Sequence, residues 1–118
     1  MDAATLCLAI ALYHEARGES TKAKLAVAEV IHNRTKSSKF PNDYCSVIKQ
    51  KGQFSFYRGS IKVPTKEKES WNECVKIAQN FNKSKTNYTN GALYFNHQRL
   101  GVRFNLQKKA HIGKHVFF

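Results

Sequence analysis

Long apolar segments and linker-forming residues are scarce in this chain of 118 residues. Its only long apolar run, LCLAIALY at residues 6–13, is too short to span a bilayer, which takes roughly 20 apolar residues. The run follows the acidic Asp2 instead of a basic region, which argues against a secretory signal. We therefore expect a buried helix there and a mature chain that starts at Met1 without an export signal. Because the chain has two prolines, six glycines and no linker, one domain over residues 1–118 is expected.

Cysteines are also few, and their pattern is unlike that of a disulfide-rich protein. The chain has three, Cys7, Cys45 and Cys74, and none of them forms a CxxC pair. The odd count makes a disulfide framework an unfavoured interpretation. Cys7 and Cys74 fall on apolar helical stripes, so we expect them to be buried free thiols.

Acidic residues are strongly outnumbered by basic ones. Eight Asp and Glu stand against 20 Lys and Arg, which gives a formal net charge of +12. A charge of this size attracts polyanions and speeds their encounter with the protein. Nucleic acid, an anionic membrane surface and an anionic cell wall are all candidate partners, and the charge alone does not choose among them. A contribution to solubility is the simplest alternative.

Helix signals dominate the first two thirds of the chain. Side-chain oxygens that can accept backbone N–H groups mark three helix starts, at Asp2, at Ser20 or Thr21, and at Asp43. The first helix is predicted to reach Ala16, with Gly18 as its stop, and the second to end near Arg34. A last long helix is predicted to start at Thr65, with a buried stripe of Trp71, Cys74, Val75, Ala78 and Phe81.

Aromatic and β-branched residues become frequent after residue 92. The segments ALYF, GVRF and HVFF are predicted to be short strands or extended segments, and residues 54–57 can also be extended. Helices are predicted in the first two thirds of the chain and a small β region in the C-terminal third. This order indicates a mainly helical α+β fold.

Glu15 is the most informative polar residue. It follows Leu12, Ala11 and Leu8 by three, four and seven positions, so on a helix all four share one face. Desolvation on an apolar face favours the neutral carboxyl and raises its pKa, and the negative end of the helix dipole acts in the same direction. A carboxylic acid kept protonated near neutral pH is what glycosidic cleavage needs as a general acid. The alternative is an ion pair of Glu15 with Arg17 or Arg34.

Other titratable residues give weaker signals. Glu19 follows Gly18 at the start of the second helix, where a negative charge is stabilised by the dipole, so a structural role is as good an interpretation as a catalytic one. His14-Glu15 is not a zinc-binding HExxH motif, and Gly113 separates His111 from His115. We therefore expect no metal and no other cofactor.

Polar and aromatic side chains alternate in two further segments. Sugars bind to aromatic faces together with amide and hydroxyl groups, so these segments can form the walls of a cleft. An aromatic core with incidental polar groups, or a surface that stacks nucleobases, are the alternatives. The two segments are Gly52-Gln53-Phe54-Ser55-Phe56 and Tyr94-Phe95-Asn96-His97.

Five blocks spread over almost the whole chain resemble the spore cortex-lytic (SleB-type) cell-wall hydrolases. They are YHEARGES, AVAEVIHNR, FPNDYCSVI followed by GQFSF, GALYF, and IGKHVFF at the end. The resemblance implies a lysozyme-like fold similar to that of the soluble lytic transglycosylases. It implies that Glu15, the first glutamate of EARGE, is the catalytic acid. The other residues expected to contact substrate are Glu19, Gln53, Phe54, Ser55, Tyr94 and His115 within these blocks, and Asn96 directly after GALYF.

The resemblance also implies a reaction and a partner. Glu15 would protonate the bond between N-acetylmuramic acid and N-acetylglucosamine in bacterial peptidoglycan, and a 1,6-anhydro ring would then close. A hydrolytic muramidase with the same acid is the first alternative, and a catalytically inactive wall-binding module is another. A nucleic-acid-binding protein or small nuclease, motivated by the charge and the triplet His32-Asn33-Arg34, is the third. A bare basic catalytic domain is closest to a phage endolysin, a monomer made in the host cytoplasm and released to the wall.

Overall fold

The computed structural model describes residues 1–50, 53–57, 59–101 and 105–118. Four helices come first: α1 (Ala3–Ala16), α2 (Thr21–Thr35), α3 (Tyr44–Lys49) and α4 (Lys68–Lys83). Three short strands follow, β1 (Phe95–His97), β2 (Ala110–Ile112) and β3 (His115–Phe117), with a 3-10 turn at Gln98–Leu100 after β1. The predicted α+β fold, mainly helical with a small sheet near the C-terminus, is confirmed.

Helix α1 is the centre of the fold because it is apolar on almost every side. Residues 7–13 are all buried, and α2, α3 and α4 all contact this helix. Asp2 accepts a hydrogen bond from the Thr5 backbone N–H at 2.7 Å, and Gly18 follows the helix with a positive φ of 86°. Both ends lie where the sequence predicts them. Among the described segments, no helix has both the length and the apolar character needed to cross a membrane.

The other helices follow the predicted caps, with one difference at α4. Ser20 accepts from the Ala23 N–H and begins α2, and Asp43 accepts from the Ser46 N–H and begins α3. Helix α4 begins at Lys68, three residues later than the predicted Thr65, after Glu67 in a left-handed conformation. The Glu67 carboxylate pairs with Arg17 at 2.6 Å instead of capping the helix. Of the predicted stripe, Cys74, Ala78 and Phe81 are buried, whereas Trp71 and Val75 are half-buried.

The expectation of a free thiol at Cys7 is wrong, because Cys7 forms a disulfide bond with Cys45. The bond connects α1 to the first turn of α3, where the two Cα atoms lie 5.3 Å apart. Helix packing brings together two positions separated by 38 residues, which no local pattern indicates. Cys74 is the buried free thiol that was predicted, and burial raises its pKa to about 11.

The sheet is antiparallel, in the order β1-β3-β2. Strand β3 lies in the predicted HVFF segment and β1 starts at the last residue of ALYF, whereas β2 was not predicted. Of the predicted strand GVRF, residues 102–104 lie outside the described residues, and residues 54–57 form a turn instead of an extended segment. Strands β2 and β3 are joined by a two-residue turn, Gly113-Lys114, whose first position has a φ of 58°. Glycine is the residue best suited to that position of a hairpin turn.

A buried carboxylate, Glu29 of α2, organises the loop that leads from α4 to the sheet. Its side chain is 1% exposed. One oxygen, Oε1, accepts from the backbone N–H and the hydroxyl of Thr89, both at 2.8 Å. The other, Oε2, accepts from the Thr86 hydroxyl at 2.5 Å and from the Tyr88 N–H at 2.9 Å. Glu29 therefore accepts hydrogen bonds from two backbone N–H groups and two hydroxyl groups of the loop.

We expect Glu29→Gln to lower the free energy of unfolding by about 2–3 kcal/mol, because the new amide NH2 must face a backbone N–H donor in a buried site. Urea denaturation followed by circular dichroism measures the change. Glu69→Gln, at an exposed position of α4, is the matched control and should change stability by less than about 0.5 kcal/mol. Equal stabilities of the two variants would contradict the proposed role of Glu29.

Candidate active site

A cleft of about 840 Å³ opens between the C-terminal end of α1 and the small sheet. The segment at residues 53–55 forms a further wall, and β1 with its 3-10 turn lies across from it. The described residues that line the cleft are Glu15, Arg34, Gln53, Ser55, Phe95, Asn96, His97, Arg99, Leu100 and His115. Five of the eight residues predicted from sequence are in this set, although they come from four separate parts of the chain.

Glu15 lies one residue before the end of α1, and its carboxyl group borders the cleft. The side chain is half-buried, and desolvation raises the pKa of the carboxyl group. Arg17 pairs with Glu67, and the Arg34 Nε donates to the Leu93 carbonyl at 2.7 Å. Within the described ranges, no residue forms a hydrogen bond or ion pair with the Glu15 carboxyl group. The arrangement is that of a carboxyl group whose protonated form is favoured by burial, beside an open groove.

Glu19 lies close behind the cleft and contacts His115 instead of lining the wall itself. Its Oε2 is 2.8 Å from His115 Nδ1, and its Oε1 accepts from the Lys114 backbone N–H at 3.0 Å. The backbone of Glu19 is held as well, because Lys24 Nζ donates to its carbonyl oxygen at 2.6 Å. The carboxylate therefore connects the start of α2 to the β2–β3 turn, and is directed away from the first amides of α2.

His115 is itself part of the cleft wall, although it is only 6% exposed. Burial lowers the pKa of its imidazole, and the nearby His97 acts in the same direction, whereas Glu19 opposes both. The ring packs edge-on against Phe95 at 5.3 Å between centroids. A largely neutral imidazole next to the cleft can exchange hydrogen bonds with an uncharged ligand.

Each of the two predicted aromatic–polar segments has some residues that line the cleft and at least one that does not. Gln53 and Ser55 line the cleft, whereas Phe54 is 3% exposed and packs in the core behind them. Asn96 lines the cleft from β1. Tyr94 instead borders a separate cavity of about 250 Å³ and lies near Phe40.

Sequence reasoning missed several wall residues. Arg34 was considered as an ion-pair partner and as part of the triplet His32-Asn33-Arg34, but not as a wall residue. It lines the cleft, and its guanidinium carbon lies 4.8 Å from the centroid of the Phe40 ring. Phe95 and His97 belong to the second predicted aromatic–polar segment and line the cleft from β1. Arg99 and Leu100 of the 3-10 turn also line it but were not predicted, because the turn had no recognisable signal in the sequence. His111 is bonded to Gln98 at 3.0 Å and does not line the cleft.

The solved structures of two relatives match this fold over most of its length. One is the catalytic domain of the germination-specific lytic transglycosylase SleB from Bacillus anthracis, with 27% identity and a TM-score of 0.68 over 99% of this chain and 95% of that one. The other is the catalytic domain of the Bacillus cereus SleB protein, with 28% identity and a TM-score of 0.70 over 96% of this chain and 87% of that one. No curated protein matches the sequence significantly.

The family profile described as Cell Wall Hydrolase matches residues 18–118. That segment contains the predicted contact residues from Glu19 to His115, whereas Glu15 lies three positions before it. The profile therefore does not bear on Glu15, and its place in the cleft is what supports a role for it. The resemblance to the SleB-type enzymes is confirmed by the profile together with the two structures, and the chain belongs to the Cell Wall Hydrolase family.

Proposed function

We propose that this protein cleaves the glycan strands of bacterial peptidoglycan as a lytic transglycosylase, with Glu15 as its catalytic acid and base. The observation that carries the proposal is a half-buried carboxyl group, with a raised pKa, that borders the cleft without a protein partner among the described residues. Membership of the Cell Wall Hydrolase family and the SleB lytic transglycosylase domain among the structural relatives support the substrate class.

The first step is proton transfer to the leaving oxygen. Protonated Glu15 donates to the glycosidic oxygen between N-acetylmuramic acid and N-acetylglucosamine, and the C1–O bond breaks as the muramic ring takes on oxocarbenium character. The raised pKa favours this step, since a larger fraction of Glu15 carries the proton near neutral pH.

The second step uses the same group as a base. The Glu15 carboxylate takes the proton of the muramic C6 hydroxyl, whose oxygen bonds to C1 and closes a 1,6-anhydro ring. Glu15 is thereby returned to its protonated form, and no water is consumed. Retaining hydrolysis would instead require a second carboxylate about 5–5.5 Å from the first. Among the described lining residues, Glu15 is the only carboxylate.

The walls of the cleft have the chemistry that an N-acetylated glycan requires. Gln53, Ser55 and Asn96 offer amide and hydroxyl groups for sugar hydroxyls and acetamido groups, and Phe95 offers an aromatic ring. Arg34 and Arg99 add positive charge, which suits the carboxylates of muramic acid and of its peptide. The net charge of +12 draws the protein toward the anionic wall as a whole.

Mass spectrometry of the muropeptides released from purified peptidoglycan tests the proposal. We expect products with 1,6-anhydromuramic ends, which are lighter by one water than the products of hydrolysis. Reducing ends would indicate a muramidase that uses the same acid. No release of glycan fragments at all would contradict the proposed function. Action as a monomer, and synthesis in a host cytoplasm as an endolysin, stay predictions.

A further inference from the structure

Glu19 and His115 form a buried pair that the two proposed chemical steps do not use. We propose that Glu19 is a positioning residue that orients His115, so that the ring nitrogen Nε2 accepts a hydrogen bond from a neutral donor of the glycan, either a sugar hydroxyl or an acetamido N–H. The inference rests on the proposed function for its ligand class, and it deepens that function by assigning a contact within the same cleft.

The two side chains meet behind the cleft wall. Glu19 Oε2 and His115 Nδ1 are buried and lie 2.8 Å apart. A carboxylate oxygen therefore faces the Nδ1 side of the ring. Nδ1 is turned to Glu19, which leaves Nε2 as the ring nitrogen available to a molecule in the cleft that His115 lines.

Besides its contact with His115, Glu19 is held by one contact to its carboxylate and one to its backbone carbonyl. Neither contact stabilises the start of a helix. The Lys114 N–H donates to Oε1 from the hairpin turn, and Lys24, itself 3% exposed, holds the Glu19 carbonyl oxygen. Lys24 is in turn held by Glu73 at 3.0 Å. Gly113 leaves room for this arrangement, because a Cβ atom at that position would lie 2.5 Å from Glu19 Oε1. The turn thus accommodates the carboxylate closely.

The chemistry of the pair determines which ring nitrogen keeps its hydrogen. An ionised carboxylate only accepts hydrogen bonds, so it favours the tautomer in which Nδ1 carries the hydrogen. In a neutral ring Nε2 then has a free lone pair. Burial and His97 favour that neutral ring, while Glu19 favours the charged form. Phe95 and Phe117 pack around the ring and limit its rotation.

An acceptor at this position discriminates among ligands. A lone pair attracts hydroxyl and N–H donors and repels carboxylate oxygens. His115 would therefore contact a neutral part of the strand, while the carboxylates of the peptide are left to the arginines. This separation predicts that the loss of His115 orientation weakens glycan binding without removing the acid chemistry of Glu15.

Nitrogen-15 NMR of the histidine rings in the unliganded protein tests the tautomer. We expect His115 in the Nδ1–H form near pH 7, and a mixture of both tautomers in Glu19→Gln, because a side-chain amide can accept or donate. Glu69→Gln, an exposed and isosteric change, should leave the His115 signals unchanged. A dominant Nε2–H form in the unsubstituted protein would overturn the inference, whatever the enzyme does to the wall.

Titration of a soluble tetrasaccharide of alternating N-acetylglucosamine and N-acetylmuramic acid tests the contact. In a Glu15→Gln background, which keeps the ligand intact, we expect Glu19→Gln to weaken binding about tenfold, roughly the value of one well-oriented hydrogen bond. With Glu15 present, Glu19→Gln should raise KM more than it lowers kcat. His111→Gln, on the neighbouring strand and outside the cleft lining, is the matched control with unchanged affinity.

The outcomes separate the two proposals. The expected tautomer together with weaker binding in Glu19→Gln supports the inference, whereas unchanged binding and unchanged KM would overturn it. If the unsubstituted protein binds the tetrasaccharide through His115 but releases no fragments from the wall, the proposed catalytic function fails and the binding contact stands.

Discussion

Glu15→Gln is expected to lower the release of muropeptides by about 10³-fold, since proton transfer by a positioned side chain contributes roughly 10²–10⁴-fold to rate. Glutamine has nearly the same shape and reach, but its amide has no proton to give to the glycosidic oxygen. The cleft should keep its geometry, so affinity for a glycan fragment should change far less than turnover does. Initial rates of dye release from labelled peptidoglycan, with matched protein concentrations, measure the effect.

The control for this substitution is Glu69→Gln, which makes the same chemical change on the exposed face of α4. It should retain normal turnover. Circular dichroism of both variants should match that of the unsubstituted protein, because neither residue has a capping or core role. Normal turnover in Glu15→Gln would show that another group supplies the proton, and the mechanism would have to be abandoned.

The raised pKa of Glu15 also has a consequence for stability, which serves as an internal check. Because burial raises the pKa, the folded state holds the proton more tightly than the unfolded chain, where the pKa is about 4.3. Below that value Glu15 is protonated in both states, so ionisation of its carboxyl group does not change the free energy of unfolding. As the pH rises through the pKa that Glu15 has in the folded state, the free energy of unfolding decreases. Glu15→Gln is therefore expected to be equally or more stable at pH 7, with the difference vanishing in acid.

Reduction of the Cys7–Cys45 disulfide is expected to lower the free energy of unfolding by up to about 4 kcal/mol. The bond closes a segment of 38 residues, and the loss of that constraint increases the entropy of the unfolded chain. It also joins α1, which carries Glu15, to α3. Thermal unfolding with and without a reducing agent measures the effect as a lower Tm in the reduced protein.

The matched control is Cys45→Ala, which removes the bond while the half-exposed position tolerates a smaller side chain. In this variant a reducing agent should cause no shift in Tm, because no disulfide remains. Titration of thiols in the denatured, unreduced protein gives an independent count: one thiol, from Cys74, is expected. Three thiols, together with a Tm insensitive to reduction, would contradict the disulfide.

Local sequence indicated most of the helix ends of this protein and its candidate acid, Glu15. A cap such as Asp2 depends on an atom three residues away, and Gly18 ends a helix through its own backbone freedom, so both can be identified without a structure. The position of Glu15 on an apolar helical face follows from the spacing alone, and so does the direction of its pKa. The family, by contrast, was indicated by the resemblance of five blocks, in their order, to the SleB-type enzymes.

Tertiary structure decided the contacts between distant parts of the chain. The Cys7–Cys45 bond depends on how two helices pack, and the pairing of Glu19 with His115 joins residues 96 positions apart. Glu29 had no local signal either, because its four donors belong to a loop about 60 residues away. Helical periodicity and capping depend on residues within one or two helical turns. These contacts, in contrast, form only when distant segments of the chain pack together around α1.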